Sequence, residues 1–199
     1  MAGSTAVARL RRSLAAHAPA LLPDAEKRVA AVAMLVREAK SDLEVLFIER
    51  IKRAGDPWSG HVAFPGGRVQ EEGEPLQVAA ERETREEIGL DLDAAEFLGR
   101  LDDLSGSTLP VQVSGFVYHL AAESVFSLNH EVRKIFWVTL ADLVDPQRHL
   151  CSEFRIGGKQ QMLPAIDMGT ERPLLWGLTY RFVMQVIRLL EIRIAGITP

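Results

Sequence analysis

The sequence has little of several features that mark large classes of protein. Its 199 residues contain one cysteine, Cys151, which excludes a disulfide framework and a cysteine-based zinc site. Basic residues number 23 against 27 acidic ones, and the net charge of −4 argues against an electrostatic nucleic-acid binder. Arginine or glutamate interrupts every apolar run well before the roughly 18 residues that a membrane-spanning helix needs.

The remaining composition is that of an ordinary globular protein. Hydrophobic residues make up 47% of the chain and charged residues 25%, with no internal repeat and no linker-like segment. A chain of this length forms one well-buried core and is short for two. We therefore expect a single domain over residues 1–199, located in the cytoplasm and without a membrane or nucleic-acid partner.

The N-terminal segment is rich in arginine and has no acidic residue. Val7, Leu10 and Leu14 recur there at helical spacing, and the arginines lie largely on other faces. Arginine-rich segments without acidic residues also occur as targeting presequences, which leaves a targeting role open. We favour an amphipathic helical extension within residues 1–25 that ends near Pro19.

Apolar and β-branched runs predict a series of strands followed by a C-terminal helix. Residues 28–37 and 43–49 are separated by a short polar turn and are expected to pair as a hairpin. Further elements are predicted at residues 96–101, 111–120 and 134–138 (strands) and 174–194 (helix). The mixture of hairpins and helices indicates an α+β fold in which helices pack on a mixed sheet.

One predicted helix combines an apolar face with acidic residues. Pro75 suits the first turn of a helix and Gly89 suits its end, so we expect a helix over residues 75–88. At about 100° per residue, one stripe of this helix contains three apolar residues and three glutamates, namely Leu76, Ala79, Ala80, Glu83, Glu86 and Glu87. A merely solvated helix places its acidic residues away from the apolar stripe. The pattern predicts that three carboxylates extend the face that points inward.

Three clustered carboxylates repel one another and need compensating positive charge. Arg82, four residues before Glu86, supplies one charge, which is too little for three glutamates. A hard divalent cation such as Mg²⁺ suits the remainder, because it binds carboxylate oxygens together with substrate phosphates. The preceding Gly66 and Gly67 let backbone groups approach a metal or a phosphate closely. An exposed acidic helix with an intrahelical salt bridge stays the alternative.

These residues resemble the Nudix box, whose pattern is G-x5-E-x7-R-E-U-x-E-E-x-G-U with U aliphatic. Gly67 is followed by RETREEIGL from Arg82 to Leu90, which contains the whole R-E-x-x-E-E-x-G core. Fourteen residues separate Gly67 from Arg82 instead of thirteen, and Thr84 stands where an aliphatic residue is usual. GHVAFPGG upstream, and EVRKIFWVTLADL and LLWGLTYRFV downstream, are similar to segments of the coenzyme A pyrophosphatase branch. The resemblance covers about residues 28–190.

The resemblance implies an α/β/α sandwich and a metal-dependent hydrolase of nucleoside diphosphate derivatives. Within it, Glu83, Glu86 and Glu87 correspond to metal ligands, and Gly67 to a backbone carbonyl ligand. Glu86 and Glu87 are also the catalytic candidates. The implied cofactor is Mg²⁺, which Mn²⁺ can replace. Clustered metal ions neutralise the charge of a pyrophosphate and activate water for attack on phosphorus.

The resemblance also assigns supporting roles within the loop and helix of residues 66–90. Arg82 is expected to orient the carboxylates from outside the metal's own ligand set. Glu74, eight residues before Arg82, is expected to stabilise the entry of the helix and not to touch metal. Gly66 is expected to support the loop.

Residues outside this segment are candidates for contact with substrate. In the family a general base comes from a later loop, and Glu131 is our candidate there, with a solvated loop glutamate as the equal alternative. Arg50, Arg53 and Arg68 flank the glycine loop and suit bidentate binding of phosphates, or are ordinary surface arginines. His61 is expected to be a plain loop or strand histidine.

Trp58, in the turn before the glycine loop, can stack on a base in principle. A tryptophan in such a turn more often anchors its loop against the core, and we expect that role here.

Taken together, the residues and the resemblance favour hydrolysis of coenzyme A or an acyl-CoA to adenosine 3′,5′-bisphosphate and phosphopantetheine. The same chemistry on a nucleoside triphosphate, ADP-ribose or a dinucleotide stays open, as does a non-catalytic nucleotide-binding module that regulates a partner. All three box glutamates are present, which favours catalysis. A serine or cysteine hydrolase lacks the motifs that it needs. The expected partner is a small nucleotide-type molecule, and a homodimer is an expectation of the resemblance.

Overall fold

A computed structural model describes residues 5–23, 28–39, 42–53, 59–70, 73–106, 110–121 and 123–197. Its main sheet is mixed and has β1 at the centre: β1 runs parallel to β7 and antiparallel to β2 and β4. The strands of this sheet are β1 (Arg28–Ala39), β2 (Asp42–Arg50), β3 (Val62–Ala63), β4 (Gly66–Arg68), β5 (Glu96–Arg100), β6 (Leu104–Ser105), β7 (Val111–His119) and β8 (Val132–Thr139). The strands expected within the first 140 residues are therefore confirmed, with ends that differ by no more than two residues.

Helices cover both faces of this sheet, as alternation along β1 requires. Ala31, Ala33 and Leu35 of β1 belong to the core cluster under α2, whereas Met34 and Val36 belong to the cluster under the other three helices. The helices are α1 (Ala6–Ala16), α2 (Leu76–Ile88), α3 (Leu140–Val144) and α4 (Gly177–Leu189). The predicted α/β/α arrangement of an α+β fold is confirmed.

The N-terminal helix is part of the core. Its Val7, Leu10 and Leu14 are buried, and the Nη2 of Arg9 donates to the carbonyl oxygen of Leu190 at 2.7 Å. The interpretation of this arginine-rich segment as a structural helix is thereby favoured. No helix in the described part of the chain is long and apolar enough to cross a membrane.

A second antiparallel sheet of three strands was not predicted from the sequence. It consists of β9 (His149–Ile156), β10 (Lys159–Ile166) and β11 (Leu175–Trp176). The mostly exposed face of β9 and β10 carries Cys151, Met162 and Pro164, and the opposite face carries Ser152 and Gln161, so the apolar/polar alternation that marks a strand is weak. The C-terminal helix was predicted to begin at residue 174, which is wrong because residues 175 and 176 pair with β10 before α4 starts.

Two earlier interpretations fall on residues outside the described ranges. The turn that joins β1 to β2 involves residues 40 and 41, and Trp58 belongs to residues 54–58. The hairpin itself is confirmed by the pairing of Ala39 with Asp42.

Candidate active site

The glycine loop lies directly against the central strand. In β4, Gly66 pairs with Val32 and Gly67 with Ala31 of β1. Gly66 has a φ of 150°, and a Cβ atom there would overlap the carbonyl oxygen of Ala31 and lie 2.6 Å from the Cα of Val32. Glycine is needed at this position because no side chain fits between the two backbones.

Small residues bring α2 down onto this loop. Ala79 and Ala80 are fully buried and share a core cluster with Ala31 and Ala33 of β1. Facing alanines allow a helix to approach a sheet closely. As a result, the Glu83 carboxyl group lies against the Cα of Gly67, where any Cβ would overlap it.

Glu87 is the buried carboxylate of the site, with a side chain that is 3% exposed. Its Oε2 accepts the N–H of Gly66 at 2.9 Å, and its Oε1 accepts the Nη1 of Arg50 at 3.1 Å. Burial raises the pKa of Glu87 to about 7, against the lowering effects of the Gly66 N–H and the Arg50 charge. Glu87 thus fastens the C-terminal half of α2 to β4 and to β2.

Arg82 connects the acidic residues on the other side of α2. Its Nε donates to Glu74 at 2.9 Å, its Nη1 to Glu83 at 2.8 Å, and its Nη2 to the carbonyl oxygen of Arg68 at 3.1 Å. The hydrogen bond to Glu74 is the largest of several effects that raise the pKa of Arg82. Glu74 also accepts the N–H of Gln70 at 2.9 Å, as expected of a group at the helix entry.

Glu86 lies outside the inward-facing stripe that the sequence predicts. Its side chain is 51% exposed, and the Nη1 of Arg82 lies 3.4 Å from its Oε1. The buried face of α2 is instead formed by residues 79, 80, 84, 87 and 88, so position 86 falls at its edge. The prediction of three inward carboxylates holds for Glu87, and Glu83 is intermediate.

Glu131 lies close to Glu87 because both carboxylates share one arginine. The Nη2 of Arg50 lies 3.5 Å from Glu131 Oε2, and the Nη1 of Arg53 lies 3.4 Å from Glu131 Oε1. Arg53 also donates to the carbonyl oxygen of His130 at 3.0 Å. The sequence gives no sign of these pairings, since the residues belong to segments about 80 positions apart.

Asn129 is a site residue that the sequence reasoning missed. Its Oδ1 accepts the N–H of Glu131 at 2.8 Å, and its own N–H donates to the carbonyl oxygen of Glu87 at 3.0 Å. An asparagine that bonds the backbone two residues further on is a known turn pattern, so the spacing of Asn129 and Glu131 was a usable signal.

The sequence-predicted residues therefore form two adjoining groups. Arg82 holds Glu74 and Glu83 and approaches Glu86, whereas Arg50 joins Glu87 to Glu131. Arg68 is exposed, and its carbonyl oxygen is the group that accepts the Nη2 of Arg82. Thr84, the unusual residue of the box, is buried and donates its hydroxyl to the carbonyl oxygen of Ala80 at 2.7 Å.

The ligand types suit a hard divalent cation, because carboxylate and backbone oxygens are what Mg²⁺ and Mn²⁺ prefer. Arginine side chains occupy these carboxylates, and among the residues that the structure describes no three acidic, histidine or cysteine side chains are arranged to hold an ion. The Glu83 carboxylate fills the space beside the Cα of Gly67, so a side chain at position 67 would overlap it.

A family model described as the NUDIX domain matches residues 27–154. The human mitochondrial coenzyme A diphosphatase NUDT8 is 30% identical over 164 residues, covering 77% of this chain and 68% of that protein. An uncharacterized protein of Schizosaccharomyces pombe is 34% identical over 159 residues, covering 67% of this chain, and this chain spans about half (48%) of its length. The crystal structure of a MutT/nudix family protein from Enterococcus faecalis has a TM-score of 0.57 at 20% identity, covering 85% of this chain and 65% of that one.

Proposed function

This chain belongs to the Nudix family, and from that premise we propose that it hydrolyses the pyrophosphate linkage of coenzyme A or an acyl-CoA with the help of divalent metal ions. One observation carries the proposal: α2 and the glycine loop hold Glu83 and Glu87 against Gly67 and Gly66. This arrangement needs glycine in the loop and a carboxylate side chain on the facing surface of α2.

Glu83, Glu86 and Glu87 are the residues that would hold Mg²⁺ or Mn²⁺, with the carbonyl of Gly67 as a further ligand. When bound, such an ion neutralises phosphate charge and makes water more acidic. Arg82 keeps the Glu83 carboxylate on the loop side of α2, since its guanidinium is itself fixed by Glu74. The three glutamates differ in exposure, which places Glu86 where it meets incoming ligands most easily.

In the proposed reaction the oxygen of a water molecule attacks one phosphorus of the linkage. The bond from that phosphorus to the bridging oxygen breaks, and the bridging oxygen leaves with the other phosphate. From coenzyme A the products are adenosine 3′,5′-bisphosphate and phosphopantetheine. Arg50 and Arg53 lie beside Glu131 and can bind the phosphate oxygens by paired hydrogen bonds.

Glu131 is the proposed acceptor of the proton that the attacking water loses. Its carboxylate is part-exposed, and its backbone is fixed by Asn129 and by the N–H of Ile51, which donates to its carbonyl oxygen at 2.8 Å. Pairing with Arg50 places it next to Glu87. These contacts support a role in the reaction over that of a solvated loop residue.

The coenzyme A assignment is supported by the sequence likeness to the human enzyme, whose printed name is mitochondrial coenzyme A diphosphatase. A hydrolysis screen tests it, with kcat/KM measured in Mg²⁺ and in Mn²⁺. Coenzyme A and acetyl-CoA are expected to exceed ADP-ribose, NADH, diadenosine polyphosphates and nucleoside triphosphates by at least tenfold. A different preferred compound would overturn the substrate and leave the family intact.

Replacing Glu131 by glutamine tests the proton acceptor. We expect kcat to fall 100-fold or more, in line with the usual contribution of a general base, while the melting temperature stays unchanged. The matched control is Glu153→Gln on the exposed face of β9, which should leave kcat unaltered. Turnover of the Glu131→Gln variant at the rate of that control would remove Glu131 from the mechanism.

We keep the cytoplasmic location and the homodimer as proposals that rest on the sequence. Light scattering coupled to size-exclusion chromatography tests the second.

A further inference from the structure

A cluster of three rings lies on the inner face of the second sheet. Phe154 of β9 stacks on Trp176 of β11 with ring centroids 4.1 Å apart and an angle of 18° between the planes. His61 meets the same indole ring edge-on at 4.7 Å. All three residues are half-buried, and Phe154 and Trp176 each turn one ring face toward the other. We call these residues the aromatic trio.

The aromatic trio adjoins the proposed catalytic groups through the backbone. The carbonyl oxygen of His61 accepts the N–H of Arg50 at 3.0 Å, and the side chain of that same arginine reaches Glu87 and Glu131. His61 also directly precedes β3, from which the chain continues into the glycine loop. One end of a nucleotide can therefore lie on the rings while its phosphates reach the arginine.

A polar group stands beside the rings. Gln161 of β10 is directly opposite Phe154 in the β9–β10 pair, and residues opposite each other in a sheet share a face. Its amide can both donate and accept hydrogen bonds, which matches the mixed edge of a nucleobase. Apolar ring surface with a single orienting amide is a common composition of small-ligand sites.

We propose that the aromatic trio binds the nucleobase of the substrate, with Phe154 and Trp176 as its stacking surface. This inference rests on the proposed function, because it concerns the part of the substrate that does not react. It assigns substrate binding to the β9–β10 hairpin, a region that extends beyond the matched NUDIX domain at residue 154. It also gives His61, which the sequence predicts to be a plain strand or loop histidine, a place beside the substrate.

Calorimetric binding of AMP and of ribose 5-phosphate tests the inference without turnover, since the two ligands differ only by the base. The unmodified protein is expected to bind AMP more tightly than ribose 5-phosphate. In Phe154→Leu the ratio of the two affinities should fall about tenfold, because the base loses its stacking contact with an aromatic ring. Phe154→Tyr should restore the ratio.

The matched control is Phe97→Leu, an exposed aromatic on β5 at the opposite edge of the main sheet. It should leave the ratio unchanged. An unchanged ratio of the two affinities in Phe154→Leu would overturn the assignment of the base. The same conclusion would follow if phosphopantetheine bound more tightly than AMP and Phe154→Leu, but not Phe97→Leu, weakened its binding. Failure of coenzyme A hydrolysis with an intact AMP preference would reject the substrate instead, so the two failures are distinguishable.

Discussion

At the scale of single residues, Glu87 is a carboxylate that the fold withdraws from water. It is buried between a backbone N–H and an arginine, and burial still raises its pKa to about 7, from an ordinary value of 4.5. Without bound metal, between about pH 4.5 and pH 7, the folded protein therefore holds a proton on Glu87 that the unfolded chain has lost. Folding stability attributable to this group is highest below pH 4.5 and falls as the pH rises to 7.

Glu87→Gln removes this dependence, because a neutral amide can still accept the Gly66 N–H. Between pH 4.5 and pH 8 in EDTA, the unfolding free energy of the variant should gain about 3 kcal/mol relative to the unmodified protein. Urea unfolding at several pH values measures it. Glu86→Gln, at an exposed position of the same helix, should show no such gain. If the unfolding free energies of Glu87→Gln and the unmodified protein changed in parallel with pH, the raised pKa of Glu87 would be contradicted.

At the scale of elements, the contact between β4 and α2 makes a pair of neighbouring glycines respond differently. In Gly67→Ala the three atoms nearest to the new methyl group all belong to the end of the Glu83 side chain, which can turn away. We expect a small loss of stability and at least a tenfold loss of Mn²⁺ affinity, read by electron paramagnetic resonance.

Gly66→Ala should instead damage the fold itself. Its Cβ meets the backbone of β1, and its positive φ strains any residue with a side chain. The expected loss is about 3 kcal/mol or more in chemical unfolding. Equal effects of the two substitutions on stability would show that the loop is not held as described.

The sequence predicts α2 closely, because the residues that begin and end this helix act locally. Pro75 becomes the N-cap and Gly89 the left-handed C-cap with a φ of 68°. The position of Glu86 at the edge of the buried face was not predictable, since the facing surface of β1 and β4 decides which residues of α2 are covered. Contacts between distant segments have no local signal at all, as with Arg50, which joins Glu87 to Glu131.

The second sheet shows the same limit of sequence reasoning. Phe154 and His61 are 93 positions apart, and only the pairing of β10 with β11 brings Trp176 between them. Apolar residues on the exposed face of the hairpin, such as Met162, and polar residues on its inner face, such as Gln161, obscure its alternation. A helix and a strand that follow each other directly, as β11 and α4 do, merge into one apolar run in the sequence.

The helix α1 offers a test of core packing at this scale. Leu10 is fully buried, and Leu10→Ala should lower the unfolding free energy by about 2–5 kcal/mol. Urea denaturation measures the loss, and catalytic activity at low temperature should persist because α1 lies across the sheet from α2. A loss below 1 kcal/mol would mean that α1 contributes little to the core.

For the whole molecule, metal binding should appear as added stability. A ligand that binds only the folded state stabilises it by about 2.7 kcal/mol when present at 100 times its dissociation constant. For a chain of this size, Mg²⁺ should raise the melting temperature by about 5 °C or more relative to EDTA. Scanning calorimetry measures the shift, which Glu83→Gln should reduce and Glu153→Gln should keep. No shift at any Mg²⁺ concentration would contradict the proposed ligands.

The hydrogen bond from Arg9 to Leu190 joins residues 181 positions apart. Closing so long a loop costs conformational entropy. The contacts that offset this cost form only when both ends are in place. During synthesis, α1 leaves the ribosome before the other described elements, and its Leu10 and Leu14 stay uncovered until β5 and α4 have formed. We expect this helix to need shielding by chaperones in the cell longer than any other described element.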